Sequence, residues 1–428
     1  MSAPDERPAV PSGAPAADAP AQGASTKKAT EPENRWSVAF REIVGGSWGV
    51  SVGAVILAIL AGSIMIVATD ENVRASAGYF FARPGDMLSA AGAAIGDAYA
   101  ALFRGAVWDY TADSFGKGIR PLTTTLNYAT PLIGAGLGLA VGFRAGLFNI
   151  GGQGQMIFAA IFAGWVGFSL QLPQPLHILV AMVAGILGGA LWAGIAGLLK
   201  ALTGAHEVIT TIMLNHTAYY LLFFLLATPG LLQAPGSANP KSPPMQKSAI
   251  LPKLFGEGFN VHLGFVFALG AVAFTWWLME RSRLGLNFRA VGENPNAARV
   301  AGIDVSRTTV WVMVVSGALV GLAGVSQVLG TSTTGFSTDV DAGMGFDAIT
   351  VALLGRSSPL GVLGAAILFG GFRAGGATMQ AAERIPIEIV TVIQSLIVLF
   401  IAAPPLVRAI LRLPKPGARK ESKKEVAA

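Results

Sequence analysis

Residues 261–279 and 308–330 are two apolar runs, each long enough to cross a hydrocarbon core of about 30 Å as a helix. Backbone polar groups in lipid need partners inside the segment itself, so runs of this kind fold as helices. Between them lies ERSRLGLNFRAVGENPNAARVAGIDVSR, residues 280–307, the long polar stretch of the middle of the chain. Arg281, Arg283, Arg289, Arg299 and Arg307 fall in it, against Glu280, Glu293 and Asp304. Arginine concentrated beside two spans marks the loop as cytoplasmic. Its interior also reads as structure. Asn294-Pro295 is a helix start, with Asn as the cap and Pro at the first helical position; 296–301 follows, and Gly302 ends it. A loop that only sets orientation needs charge alone, whereas a capped helix is what a docking element needs.

The rest of the chain repeats the theme. Apolar residues make up 53% of the 428 and charged ones 13%, about half the charged share of a soluble domain, so the expected fold is all-α and polytopic. Without cysteine the chain can form no disulfide, thiolate metal site or cysteine nucleophile, and its four histidines show no ligand spacing. The net charge of +6 sits mostly in loops and the tail, where it reports orientation and not nucleic-acid binding. Residues 1–34 read as a disordered cytoplasmic tail. Residues 48–68 are a first span, and 70–120 a mixed-charge extracytoplasmic insert in which 87–103 can form an amphipathic helix at the outer surface. Spans follow at 121–141, 148–170, 177–199 and 208–227, then an outer loop, 228–260, with Lys241, Lys247 and Lys253, then the two runs already described. This count puts 331–344 outside. The basic tail 408–424 belongs inside, so an odd number of crossings must come between. Residues 360–372 and 387–411 supply two. The third must be 345–355, which as a helix is only about 16 Å long and crosses only in broken form, as tolerated where a helix lines a cavity. The expectation is about ten crossings, both termini cytoplasmic, and a permease-like domain over 121–411 with a short basic tail from 412.

Polar residues at membrane depth are costly and by default functional. In FNIGGQGQ, Asn149 and Gln153 are four apart and would share a helix face, with Gln155 pointing elsewhere. Asn215 lies in EVITTIMLNHTAYY with Thr211 one turn before it; Gln327 ends the 308–330 run, Phe346 and Asp347 open the short crossing, and Gln394 lies in the last span. Each has two readings, as lining of a substrate path or as hydrogen-bonding glue between helices. No GxxxxGK[ST], HExxH or GxSxG motif occurs, so neither ATP hydrolysis nor membrane proteolysis is expected of this chain.

FNIGGQGQ, EVITTIMLN, the loop LNFRAVGENPNAARVAGIDVSRT and GFDAITVALLGRSSPLG together resemble the inner-membrane permeases of bacterial ABC importers for nucleosides, simple sugars and branched-chain amino acids. The similarity runs from about residue 121 to 405, and the first two motifs are similar to the nucleoside branch. The resemblance implies a transport subunit without a cofactor, in the bacterial plasma membrane. It implies as partners a cytoplasmic ATP-binding subunit, a second permease subunit in a heterodimer, and an extracytoplasmic substrate-binding lipoprotein. Glu293, Asn294, Pro295, Asn296, Ala298, Arg299 and Gly302 would form the coupling helix that sits in the ATPase. Ribose-like sugars are the rival substrate. An ion-coupled secondary transporter is the rival class, and it would place carboxylates, Lys or Arg near the midplane.

Overall fold

The computed structural model describes residues 47–412. The expected tail 1–34 and, after Arg412, the basic C-terminal tail lie outside the described residues. The described chain is helical: α1 (Ser47–Thr69), α2 (Glu71–Ala77), α3 (Pro84–Ala106), α4 (Phe115–Arg144), α5 (Gly152–Ser169), α6 (Gln174–Thr203), α7 (Glu207–Ala227), α8 (Gly264–Arg281), α9 (Arg283–Glu293), α10 (Pro295–Val300), α11 (Val305–Ser326), a π turn (Gln327–Thr331), α12 (Met344–Leu354), α13 (Pro359–Glu383), α14 (Ile387–Ala402) and α15 (Pro404–Ile410). Polar residues set several starts. Asp70, Ser282, Asn294, Asp304 and Ser358 each accept a backbone N–H of the first turn that they cap.

Among the described residues six helices are long and apolar enough to cross a bilayer: α1, α4, α6, α7, α11 with its π turn, and α13. Helices α5 and α8, at 18 residues each, include Gln153 and Gln155 or Glu280 and Arg281 within that length. With α12 and α14 these make the ten segments read from the sequence. Helix α4 is the central post. From Ala129 to Gly142 every residue is buried, because α8, α11, α12 and α13 surround it. Close packing depends on glycine where α6 crosses α11: a Cβ on Gly189 would strike the Gly317 carbonyl, and one on Gly317 the Gly189 carbonyl. The insert does form a helix, α3, and its inner face is covered. Leu102 packs on Gly375 of α13, and Thr125 Oγ of α4 donates to Ala106 O at 2.6 Å.

Two expectations need correction, and a third region is more closely packed than a bare loop. Between residues 331 and 344 the chain is non-helical but held against the bundle: Phe336, Val340 and Asp341 are buried. Phe336 lodges against Gly164 of α5 and is tied to Ser242 by backbone and hydroxyl hydrogen bonds, so apolar burial and the polar groups of the α7–α8 connection replace a helix here. The span read as ending at Phe372 continues to Glu383, because Arg373 finds partners inside the protein. The last span ends at Ala402 instead of residue 411, where Pro404-Pro405 cannot continue the hydrogen-bond ladder.

Candidate functional site

Two polar clusters lie inside the bundle. The first surrounds the entry to α5. Residues 148–151 are not helical and α5 begins at Gly152, so Asn149 and Gln153 do not share a helix face. Asn149, fully buried, instead accepts from Gly151 N at 2.8 Å and Gln155 Nε2 at 3.2 Å, and donates through Nδ2 to Ser316 Oγ at 3.0 Å. A non-helical strand entering a bundle needs partners for its peptide groups, and α7 supplies them. Glu207 Oε1, Thr211 Oγ and Asn215 Oδ1 accept from Phe148 N, Ile150 N and Gly154 N at 3.4, 3.3 and 2.9 Å, and Asn215 Nδ2 donates to Ile150 O at 2.9 Å. Those three side chains are spaced by four and occupy one face of α7. FNIGGQGQ and EVITTIMLN are therefore the two halves of one interlock. Lys200 neutralises the other oxygen of Glu207 at 2.5 Å.

The second cluster lies at the break before α12. Gly345 packs on the backbone of Gln153, close to Gly154, which is level with Asn215. Asn215 lies eight residues into α7, about 12 Å along its axis. The break is therefore inside the bundle. Here Gln153 Nε2 donates to Asp341 Oδ1 at 3.4 Å. Asp341 is 2% exposed, and its Oδ2 has no partner among the described residues. Asp347, in the first turn of α12 where the helix dipole favours a carboxylate, accepts on Oδ2 from Arg373 Nη2 at 2.7 Å and Nε at 3.2 Å. Arg373 Nη2 also donates to Ala342 O at 2.9 Å. Ala342 has φ of 46°, so the guanidinium satisfies backbone at the point where the helix fails. Phe346 beside it is half exposed. Asp347 and Gln394 line a cavity of about 260 Å³ together with Tyr128, Phe372, Arg373 and Thr391.

The structure thus brings Gln153, Phe346, Asp347 and Gln394 to the region of the break and places Asn149, Gln155 and Asn215 in the interlock. Gln327 stands apart in the π turn, buried, its Oε1 without a partner among the described residues. Sequence reading missed Asp341, assigned to an outer loop, and Arg373, taken as the residue after a span. The usable signal was Arg373 standing between Gly370-Gly371-Phe372 and Ala374-Gly375-Gly376, with no other charge until Glu383.

The polar loop folds as α9 and α10. Asn294 Oδ1 accepts from Asn296 N and Ala297 N at 3.0 and 3.1 Å, with Pro295 at the first helical position. Glu293, Asn294, Pro295, Asn296, Arg299 and Gly302 are exposed, Ala298 is buried, and Val300, an apolar side chain, is 91% exposed. Behind the loop, Glu280 accepts from Arg144 Nη1 at 2.8 Å and Arg289 Nη1 at 3.3 Å. Gly292 sits against Arg144 O and Ala145, where a Cβ would come within 2.5 Å of that carbonyl. The surface helix is keyed in this way to the end of α4, the central post.

The profile of the family described as Branched-chain amino acid transport system / permease component matches residues 122–402. Among curated proteins, the chain is 36% identical to the guanosine ABC transporter permease protein NupP of Bacillus subtilis, over 69% of this chain and 84% of that one. It is 35% identical to the glucose ABC transporter permease protein TsgB13 of Haloferax volcanii, over 65% and 75% of the two chains. It is 34% identical to the nucleoside ABC transporter permease protein NupB of Lactococcus lactis subsp. cremoris, over 71% and 84%. No solved structure matches the chain significantly. A profile match over most of the folded chain, onto an all-helical bundle with several membrane-length helices, identifies the protein as a multi-pass membrane permease that belongs to the branched-chain amino acid transport system permease component family.

Proposed function

We propose that this chain is the membrane-spanning subunit of an ATP-driven importer of nucleosides. The observation that carries the reading is the likeness, at 34–36% identity, to two relatives named for guanosine and nucleoside transport, each covered over 84% of its length. A simple-sugar importer is the second reading, favoured by the likeness to the glucose permease. In the proposed assembly a separate cytoplasmic ATPase binds α10, a second permease subunit completes the path, and a substrate-binding lipoprotein delivers from the extracytoplasmic side. Residues 35–120 supply the first span and an extracytoplasmic insert, 121–411 form the permease domain, and both tails lie in the bacterial cytoplasm.

Closure of the ATPase would move α9 and α10, the Arg144–Glu280–Arg289 triad would carry that motion to α4, and α4 would shift the broken crossing packed on it. Gln153, Phe346 and Asp347 line the path at the break, and Asp341 contributes a carboxylate deep in the bundle. Coupling of this kind requires that ATP and substrate each favour one of two states of the same element.

Two outcomes test the reading. Proline at Ala298 removes the hydrogen bond from its N–H to Asn294 O and costs a short helix about 3 kcal/mol without touching a span. In Ala298→Pro, nucleoside uptake should fall by at least tenfold while the chain still inserts; unchanged uptake with normal ATPase association would refute the coupling role. A cysteine placed at Lys241, in a chain with no thiol of its own, should label from outside the cell with a membrane-impermeant reagent. Labelling from the cytoplasmic side alone would invert the topology.

A further inference from the structure

The cavity between α4, α12, α13 and α14 has a chemical character that the path alone does not call for. Its volume of about 260 Å³ is below the usual 300–1,000 Å³ of pockets for drug-sized ligands, so it takes a fragment and not a whole nucleoside. The rings of Tyr128 and Phe372 line it. Both hydrogen bonds from Arg373 land on Asp347 Oδ2, and among the described residues nothing donates to Oδ1. A carboxylate oxygen has lone pairs for two donors. Gln394 is only 8% exposed, and its Nε2 has no partner among the described residues. A buried amide end without a partner is costly; the Gln394 side chain lines the cavity, and a rotation of its amide brings Nε2 to a partner held there.

We infer that this cavity is a base-recognition subsite, in which Asp347 and Gln394 read the hydrogen-bonding edge of a purine against the rings of Tyr128 and Phe372. Asp347 Oδ1 accepts from two adjacent N–H donors, the pattern that a guanine-type base presents at its N1–H and exocyclic amine. Gln394 donates to the neighbouring carbonyl. Arg373, by occupying Oδ2, holds the carboxylate in one orientation and acts as a positioning residue. The ribose remains outside the cavity. A simple sugar has no base edge to pair with Asp347 and Gln394, so the subsite separates nucleosides from sugars as well as one base from another. The inference rests on the nucleoside reading above.

The test uses cells that carry the intact transporter and compares uptake of labelled guanosine, xanthosine and ribose. Xanthosine has the same shape as guanosine with a carbonyl in place of the exocyclic amine. Wild type should prefer guanosine. In Asp347→Asn the Arg373 guanidinium cannot donate to Nδ2, so the amide turns its edge to the base. Its oxygen accepts the N1–H that both bases carry, and Nδ2 donates to the xanthosine carbonyl. The ratio of guanosine to xanthosine uptake should shift by at least tenfold toward xanthosine. In Gln394→Leu the KM for guanosine should rise about tenfold with the maximal rate kept. If Asp347→Asn does not insert, Gln394→Leu alone decides, and an unchanged KM overturns the subsite. An unchanged guanosine-to-xanthosine ratio in Asp347→Asn, with both rates lowered together, returns Asp347 to a structural ion pair and overturns it as well. Wild-type cells that take up ribose but no nucleoside would overturn both the subsite and the nucleoside reading, whereas the two variant outcomes overturn the subsite alone.

Discussion

Asn215→Ala should lose transport of every substrate in equal proportion, because the protein fails to reach its folded state in normal amount. The substitution strips partners from Gly154 N–H and Ile150 C=O, two backbone groups held inside the bundle. A buried group left unpaired costs about 1–3 kcal/mol, so the pair amounts to about 2–6 kcal/mol, a large part of an ordinary stability margin. The side chain is 2% exposed and both ends of its amide are bonded to backbone, which keeps it out of a ligand's reach. The measurements are membrane level, thermal unfolding in detergent, and uptake of a nucleoside and a sugar normalised to level. A full membrane level combined with loss confined to one substrate would assign Asn215 to the path instead.

Arg373→Leu is the second large effect. Asp347 would then stand inside the bundle as a lone carboxylate, and Ala342 O would lose its donor at the break. Removing one partner of a buried pair costs about 3–5 kcal/mol. These side chains keep 24% and 26% exposure, so about 2 kcal/mol is the better figure, and uptake should drop by more than tenfold. The double variant Arg373→Leu with Asp347→Leu separates the contributions. It should recover membrane level, since no charge is stranded, and still fail to transport. Equal levels in both variants would show that the pair does not hold the break together.

The helices and their order were readable because length and apolarity are local properties of the sequence. The short surface helix was readable for the same reason: Asn294, Pro295 and Gly302 each act within a few residues of themselves, and α10 starts where they place it. The polar clusters were only half readable. Sequence spacing put Asn149 and Gln153 on one helix face, but that inference assumes a helix, and residues 148–151 take their hydrogen bonds from α7. A partner 60 residues away leaves no periodic trace. Residues 331–344 misled for a related reason. Two carboxylates and several small residues look like a loop, and only the packing of Phe336 and the reach of Gln153 to Asp341 show that the segment is packed into the bundle. Arg373 escaped because a charge normally ends a span, and its compensation comes from another helix.

The central claim is that nucleoside movement through this chain is driven by ATP. The most direct measurement is the initial rate of labelled guanosine accumulation in cells carrying the full transporter, with membrane potential and ATP varied independently. Collapsing the ion gradients with an uncoupler while ATP is maintained should leave the rate nearly unchanged. Depleting ATP with the gradients intact should abolish it, and excess unlabelled nucleoside, but not ribose or glucose, should compete. Uptake that disappears with the gradients at constant ATP would contradict the account and make the carboxylates at the break part of an ion-coupled transporter.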